Sequence, residues 1–408
     1  MGASAHKCKH KWKFPSHFRR NALGWRASRL ACQRLREAVS EIKAVTREDP
    51  VLGAEGAIRL IEKRWPALEH VDRSSGALGS AVSKALDVLV QIVIEAPADE
   101  KTRTKWLDRL WDAHQDDGVS YLQALGDRWG EVCGSREVAS AWADRLMPLL
   151  QRCWADGPGA HFHGITACLS CLLAAGRYQA LLDLLEQDRH PWWHYRRYGV
   201  QALLRLGKQQ EALQCAEASR GLNMPDGQID RVCEDILLSS GFEQEAYRRY
   251  GLSNREGTSY LAWFRAVVKR YPKRDKAEIL KDLIASTPGE EGKWFATAKD
   301  LQRYDLALEL ASRSPCEPET LNRAAADHLE RNPRFALGAA LGSRAWLAEG
   351  YGYEVTSVDV HAACDHAIQA AAKLGLVEQV KHDIRRMLAA QTSPAAFVRG
   401  ALISRLGP

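Results

Sequence analysis

The chain has 408 residues, 46% of them hydrophobic and 26% charged, with a formal net charge of +6. That composition excludes a disordered low-complexity chain, and the length exceeds what one ordinary core fills, so two or three lobes or an extended array are expected. The charge is uneven: ten of the 57 Lys and Arg, and none of the 51 acids, fall within residues 1–36, so the basic character belongs to an N-terminal arm and not to the body.

The arm, residues 1–18, interleaves cations with aromatics. Lys7, Lys9, Lys11 and Lys13, with Arg19 and Arg20 just beyond, suit phosphate neutralisation, and Trp12 has a face that can stack on a base. Arg26, Arg29 and Arg36 extend the set along one side of the next helix. This is the candidate nucleic-acid or polyanion surface; the plainer reading is a solubilising tail whose aromatics cover the first helices. The single-residue gaps of His6, Cys8 and His10 do not fit a tetrahedral zinc site.

Residues 19–157 are expected to form a less regular helical lobe. Leu35, Ala38, Val39 and Ile42 make one stripe at helical spacing, and Leu78, Val82, Leu86, Leu89 and Val93 lie on a longer one. No apolar run is long enough to span a bilayer, since Asp87 and Gln91 interrupt the best one, so no membrane partner is expected. Turn residues fall at Asp49-Pro50, Ala96-Pro97 and Asp116–Gly118, and most densely at Asp156–Gly159, where a domain boundary is placed.

Residues 158–390 read as a helical-repeat region. Its first residues include His161, His163, Cys168 and Cys171, a weak metal candidate against the alternative of cysteines packed in an apolar helix. Gly176, Gly207 and Gly241 then recur at spacings of 31 and 34, each between an apolar helix end and a second amphipathic segment, and Gly375 repeats the arrangement. A glycine there ends a helix in the left-handed conformation, and the period is that of tetratricopeptide repeats. Further helix pairs are expected near Tyr260–Ser286, Glu290–Ser312 and Glu317–Glu349. Trp192, Tyr195, Arg196 and Arg197, with Arg248 and Arg249 from a second Tyr-Arg-Arg-Tyr-Gly copy, are the residue types of interface hot spots and form the candidate protein-partner surface. Thr287, Pro288 and Glu290 fit a helix-start capping box and not a phosphate loop. Residues 391–408 complete the chain as a helix or tail.

Four blocks, "FRRNALGWRASRLA", "RSSGAL", "DLIASTPGEEGKWFATAKD" and "LALELASRSPCEPETL", resemble a bacterial family of helical-repeat proteins without assigned function. Related helical regions follow SWIM-type zinc fingers, but no Cys-x-Cys occurs here, so the finger's zinc and nucleic-acid role is not implied. The resemblance implies a fold, not an activity.

The expectation is an all-α protein, an α-solenoid of tetratricopeptide-like hairpins with a less regular N-terminal lobe. Ten scattered cysteines in a chain of this size suit reduced thiols in the cytoplasm. No cofactor is expected. The expected function is a non-catalytic scaffold for an unidentified protein or peptide. The alternatives are a nucleic-acid-associated protein tethered by its arm, and a hydrolase built on His361, Asp365, His366, His382 and Asp383.

Overall fold

A computed structural model describes residues 10–18, 23–64, 71, 72, 74, 76–118, 120–155, 162–188, 192–221, 226–255 and 257–390. Among these residues the secondary structure is helical and no strand occurs. The chain divides into two compact units, Met1–Ile229 and Asp230–Pro408.

The first unit opens with a short 3-10 turn at Phe14–Ser16, followed by α1 (Ser28–Glu48) and α2 (Pro50–Arg64). Ala31, Leu35, Ala38, Ile42 and Val45 form the buried stripe of α1. The helix stops at Asp49, whose backbone is extended and whose carboxylate accepts the Leu52 N–H at 2.9 Å, so one residue ends α1 and caps α2. The two helices cross where Gly53 meets Thr46; a Cβ on Gly53 would lie 2.2 Å from the threonine hydroxyl. Then come α3 (Ala77–Glu95), α4 (Glu100–Gln115), α5 (Gln123–Asp127), α6 (Trp129–Val132), α7 (Arg136–Ala155), α8 (Ile165–Ala174), α9 (Tyr178–Glu186), α10 (Trp193–Arg205) and α11 (Gln209–Ala218). By length and composition α3 would pass for a membrane span, but eight of its residues, Leu78 to Val93, belong to the core. The buried Arg103 of α4 closes the end of α3 by donating to the carbonyls of Val93 at 2.6 Å and Ala96 at 2.7 Å. One apolar core cluster takes in buried residues from Trp12 to Ala202. Residues 156–160 lie outside the described residues, and α7 and α8 on either side of them pack together within this unit; the division of the chain falls instead after Ile229.

The division falls inside α12 (Asp226–Ser239). The second unit continues with α13 (Glu243–Ala246), a π-helical turn at Tyr247–Gly251, α14 (Tyr260–Arg270), α15 (Lys276–Ala285), a 3-10 turn at Glu291–Trp294, α16 (Phe295–Asp300), α17 (Tyr304–Arg313), α18 (Pro318–His328), α19 (Pro333–Ala348), α20 (Ser357–Leu374) and α21 (Val377–Ala390). The three helix pairs expected between Tyr260 and Glu349 are present as α14/α15, α16/α17 and α18/α19, and each pair packs together.

Several helix ends in both units follow one local rule. Gly176, Gly207, Gly241 and Gly375 all have φ between 70° and 82°. At each, the next residue's N–H reaches back to a carbonyl five residues earlier: Arg177 to Leu172, Lys208 to Leu203, Phe242 to Leu237 and Leu376 to Ala371, all at 2.9 Å. Gln302 takes the same role between α16 and α17 with φ 57°, and the Arg303 N–H bonds Ala298 at 2.9 Å. The capping box expected at Thr287 is not formed. The Thr287 hydroxyl donates back to the Leu283 carbonyl at 3.0 Å, finishing α15, and Gly289 turns the chain with φ 84° before the next helical turn. Thr356 and Asp359 make a capping box, at the start of α20.

Candidate functional site

Ring stacking in the first unit builds the floor of a polar cavity. Trp111, Trp129 and Trp142, from α4, α6 and α7, pack as a triad with ring centroids 5.1–5.3 Å apart. His114, one turn beyond Trp111, stacks on it at 5.8 Å with the rings 17° from parallel. The imidazole has room because residue 126 is glycine: a Cβ there would lie 2.8 Å from His114 Nε2 and 2.9 Å from the Thr166 hydroxyl. Above this floor the cavity, of about 120 Å³, is lined by His114, Asp117, Ser120, Gln123, Phe162, His163, Ile165, Thr166, His194 and Tyr195. The loop after α4 is shaped by Asp117, whose carboxylate accepts the Leu122 N–H at 2.5 Å, and by Ser120 in the left-handed region at φ 58°.

Three imidazoles thus share one space, and their electrostatics follow from burial. His114 is 5% exposed. Desolvation, with the repulsion of His163, holds its pKa down at about 4, against the opposing pull of Asp117 and Asp127. His194 is also lowered by burial, while Asp127, 3.6 Å from its Nε2, works the other way. Near neutral pH His114 is an uncharged ring. The Gln115 amide lies 3.2 Å from its Nδ1; with that amide as donor, the ring proton sits on Nε2.

Beside the cavity, the start of α10 carries the residues that the sequence suggested for a partner contact. Trp192 is 54% exposed and stacks on Tyr195, with centroids 6.4 Å apart and rings 11° from parallel. Arg197 turns inward: its guanidinium pairs with Asp127 at 2.8 Å and donates to the His194 carbonyl at 3.0 Å. The buried Tyr198 donates to the Asp127 carbonyl at 3.0 Å. Arg197 is therefore tied into the helix packing. Arg196 is half-buried. In the second unit, Arg248 is exposed, and Arg249 pairs with Glu245 at 2.9 Å and lies over the Tyr250 ring. The two Tyr-Arg-Arg-Tyr-Gly copies differ in backbone, one inside α10 and one forming the π-helical turn.

The N-terminal arm is placed differently from the base-stacking expectation. Lys7, Lys9, Arg19 and Arg20 lie outside the described residues. Trp12 is 8% exposed and sits on α2 where Gly56 has no side chain; with Phe14 and Phe18 it belongs to the core. Its face is covered and offers nothing to a base. The backbone N–H groups of Lys13 and Phe14 donate to the Glu41 carboxylate at 2.7 and 3.1 Å, fastening the arm to α1, while the Lys11 side chain is exposed. Arg26, Arg29 and Arg36 are also exposed, and Arg29, Arg36, Lys43 and Arg47 share the side of α1 opposite its buried stripe. Trp25, in the turn before α1, is 66% exposed.

The metal candidates do not come together. His161 lies outside the described residues, His163 lines the cavity, and Cys168 and Cys171 are buried in α8. Burial pushes the Cys168 thiol up to about 12 and raises Cys171, whose sulfur lies 4.0 Å from that of Cys133. Among the described residues no group of three or more His, Cys, Asp or Glu is arranged to hold a metal ion, the set around His361 and His382 included. His114 and His194 carry no local motif; each stands alone in sequence, and their shared cavity comes from the packing of α4, α8 and α10. No protein-family model, curated protein or solved structure matches this chain.

Proposed function

We propose that the protein is a non-catalytic binding scaffold of tetratricopeptide-like helical hairpins that holds a protein or peptide partner at the start of α10. The observation that carries this reading is the Trp192–Tyr195 stack: a large aromatic left half in solvent, fixed by a ring beneath it, at the mouth of a polar cavity. Tryptophan and tyrosine on a rigid helix end are the side chains that concentrate binding energy at interfaces. A catalytic reading has less support, because an imidazole whose proton leaves near pH 4 is a weak base at neutral pH. The resemblance to bacterial helical-repeat proteins and a cytoplasmic setting are consistent with this use.

The test is capture of partners from native-host lysate on the intact protein and on Trp192→Ala, followed by reconstitution with the purified partner. The scaffold reading expects a stoichiometric protein that resists nuclease and whose affinity falls about thirtyfold in the variant, the roughly 2 kcal/mol of a hot spot. Equal capture by both proteins would refute the α10 surface.

A second reading, association with nucleic acid, draws on Arg29, Arg36 and Lys43 aligned on α1 beside the exposed Trp25. It expects salt-sensitive binding that the triple alanine variant weakens and Trp12 substitution affects only through folding.

A further inference from the structure

We infer that Arg344, on α19 of the second unit, anchors a binding site for a carboxylate. The residue is 8% exposed, and its Nε and Nη1 are enclosed with no hydrogen-bond partner among the described residues. Polar side chains on either side of it are satisfied: Ser343 donates to the Pro318 carbonyl at 3.0 Å, and Trp346 Nε1 donates to that of Ala311 at 2.7 Å. A guanidinium does not shed its proton in a protein, so only an acceptor can relieve a buried one.

The first unit shows how a buried arginine is otherwise accommodated. Arg103, 7% exposed, donates to the Val93 and Ala96 carbonyls, which are spare because α3 ends there. The groups whose charge acts on Arg344 are the Cys364 thiol of α20 and the Asp383 carboxylate of α21. Cys364 lies in the middle of its helix, where the carbonyls are taken up by the helix itself. Asp383 pairs instead with Arg386 at 3.5 Å. Nη2 is not among the enclosed atoms and is the nitrogen that reaches the surface. In a guanidinium Nη2 belongs to both donor forks, Nε–Nη2 and Nη1–Nη2. An oxyanion arriving at Nη2 therefore finds a pair of parallel N–H groups, which a carboxylate matches with its two oxygens. A carboxylate is favoured over phosphate because it is flat, which suits the space between packed helices, and brings one negative charge near Asp383. Arg385 and Arg386, exposed on α21 within one turn of Asp383, offset that acid's charge.

This site does not rest on the partner reading, and a simple ion tests it with no partner present. The full-length protein is titrated with sodium acetate, sodium phosphate and sodium chloride at matched ionic strength and pH 7, following thermal unfolding and the Arg344 Nε–H NMR signal. Acetate at ten times its Kd should raise Tm by about 4 °C beyond chloride and move that signal, and phosphate should do less. Arg344→Met should be at least as stable as the native protein in chloride, since it removes an unpaired buried charge, and should lose the acetate response. Asp383→Asn should bind acetate about threefold more tightly, with its Tm in chloride within about 1 °C of the native value, because an exposed pair such as Asp383–Arg386 contributes little. The proposal is overturned if acetate does no more than chloride, if phosphate exceeds acetate, or if Arg344→Met keeps the acetate increment. A fall of several degrees in the Tm of Asp383→Asn would overturn it as well, by making Asp383 the internal counter-ion of Arg344.

Discussion

Glu234 in the second unit and His114 in the first are almost equally hidden, at 1% and 5% exposure, yet they are used in opposite ways. The Glu234 carboxylate is surrounded. Tyr271 donates to it at 2.6 Å, the Arg270 guanidinium lies 2.8 Å away, and the Asn254 amide donates at 3.3 Å. The contact binds α12 to α14 and to the turn before it, and burial with the carboxylate's demand for the phenol proton raises the Tyr271 pKa. His114 has one polar partner, the Gln115 amide, and three aromatic neighbours. A buried ionic group whose neighbours satisfy it is a structural joint. A buried ring packed mainly on other rings is held in its neutral form, because burial disfavours the charged one.

Three measurements bear on that contrast. Removing the carboxylate with Glu234→Ala takes the acceptor from Tyr271 and one of two carboxylates from Arg270, which keeps Asp235, and should cost the second unit about 3 kcal/mol in urea unfolding. A loss below about 1 kcal/mol would mean that the cluster is not a joint.

The second is acid unfolding of the first unit. The pKa of His114 is depressed in the folded state, to about 4 from the ordinary 6.5, so between those values the unfolded chain binds more protons than the folded one. Stability should therefore be complete above pH 6.5 and fall by roughly 3 kcal/mol as pH drops toward 4. In His114→Gln that part of the pH dependence should vanish, and an unchanged profile would show that the ring does not carry it.

The smallest effect concerns the turns that both units share. Gly207→Ala should cost about 1 kcal/mol, because alanine resists φ 77°, while Gln302→Gly should gain a similar amount by relieving the side chain at φ 57°. Effects of the same sign at both sites, measured as changes in Tm, would break the equivalence of these turns.

The helix pairs were legible because their signals are local. Apolar spacing located α14/α15, α16/α17 and α18/α19 to within a few residues, and a glycine after a helical stripe marked a left-handed end at Gly176, Gly207, Gly241 and Gly375. The same local logic erred at Thr287. Thr-Pro followed by Glu fits a helix start, but the hydroxyl had a competing acceptor one turn back at Leu283, and Gly289 delayed the next helix. Gln302 escaped notice because nothing in its side chain announces a left-handed backbone.

The candidate site was legible only in fragments. Trp192 and Tyr195 were visible as residue types, but the inward turn of Arg197 depends on Asp127, 70 residues earlier in sequence, and the burial of Trp12 depends on a missing side chain at Gly56.

By itself the sequence determined the helical class, the three helix pairs from α14 to α19 and the glycine ends at Gly176, Gly207, Gly241 and Gly375, since hydrogen bonds within a turn and apolar periodicity involve residues only a few positions apart. Tertiary structure alone decided which histidines meet over the tryptophan triad, and that Glu234 is enclosed by Tyr271 and Arg270. Those meetings depend on how closely helices cross, and glycines such as Gly53, Gly126 and Gly130 set that distance through the volume they leave empty.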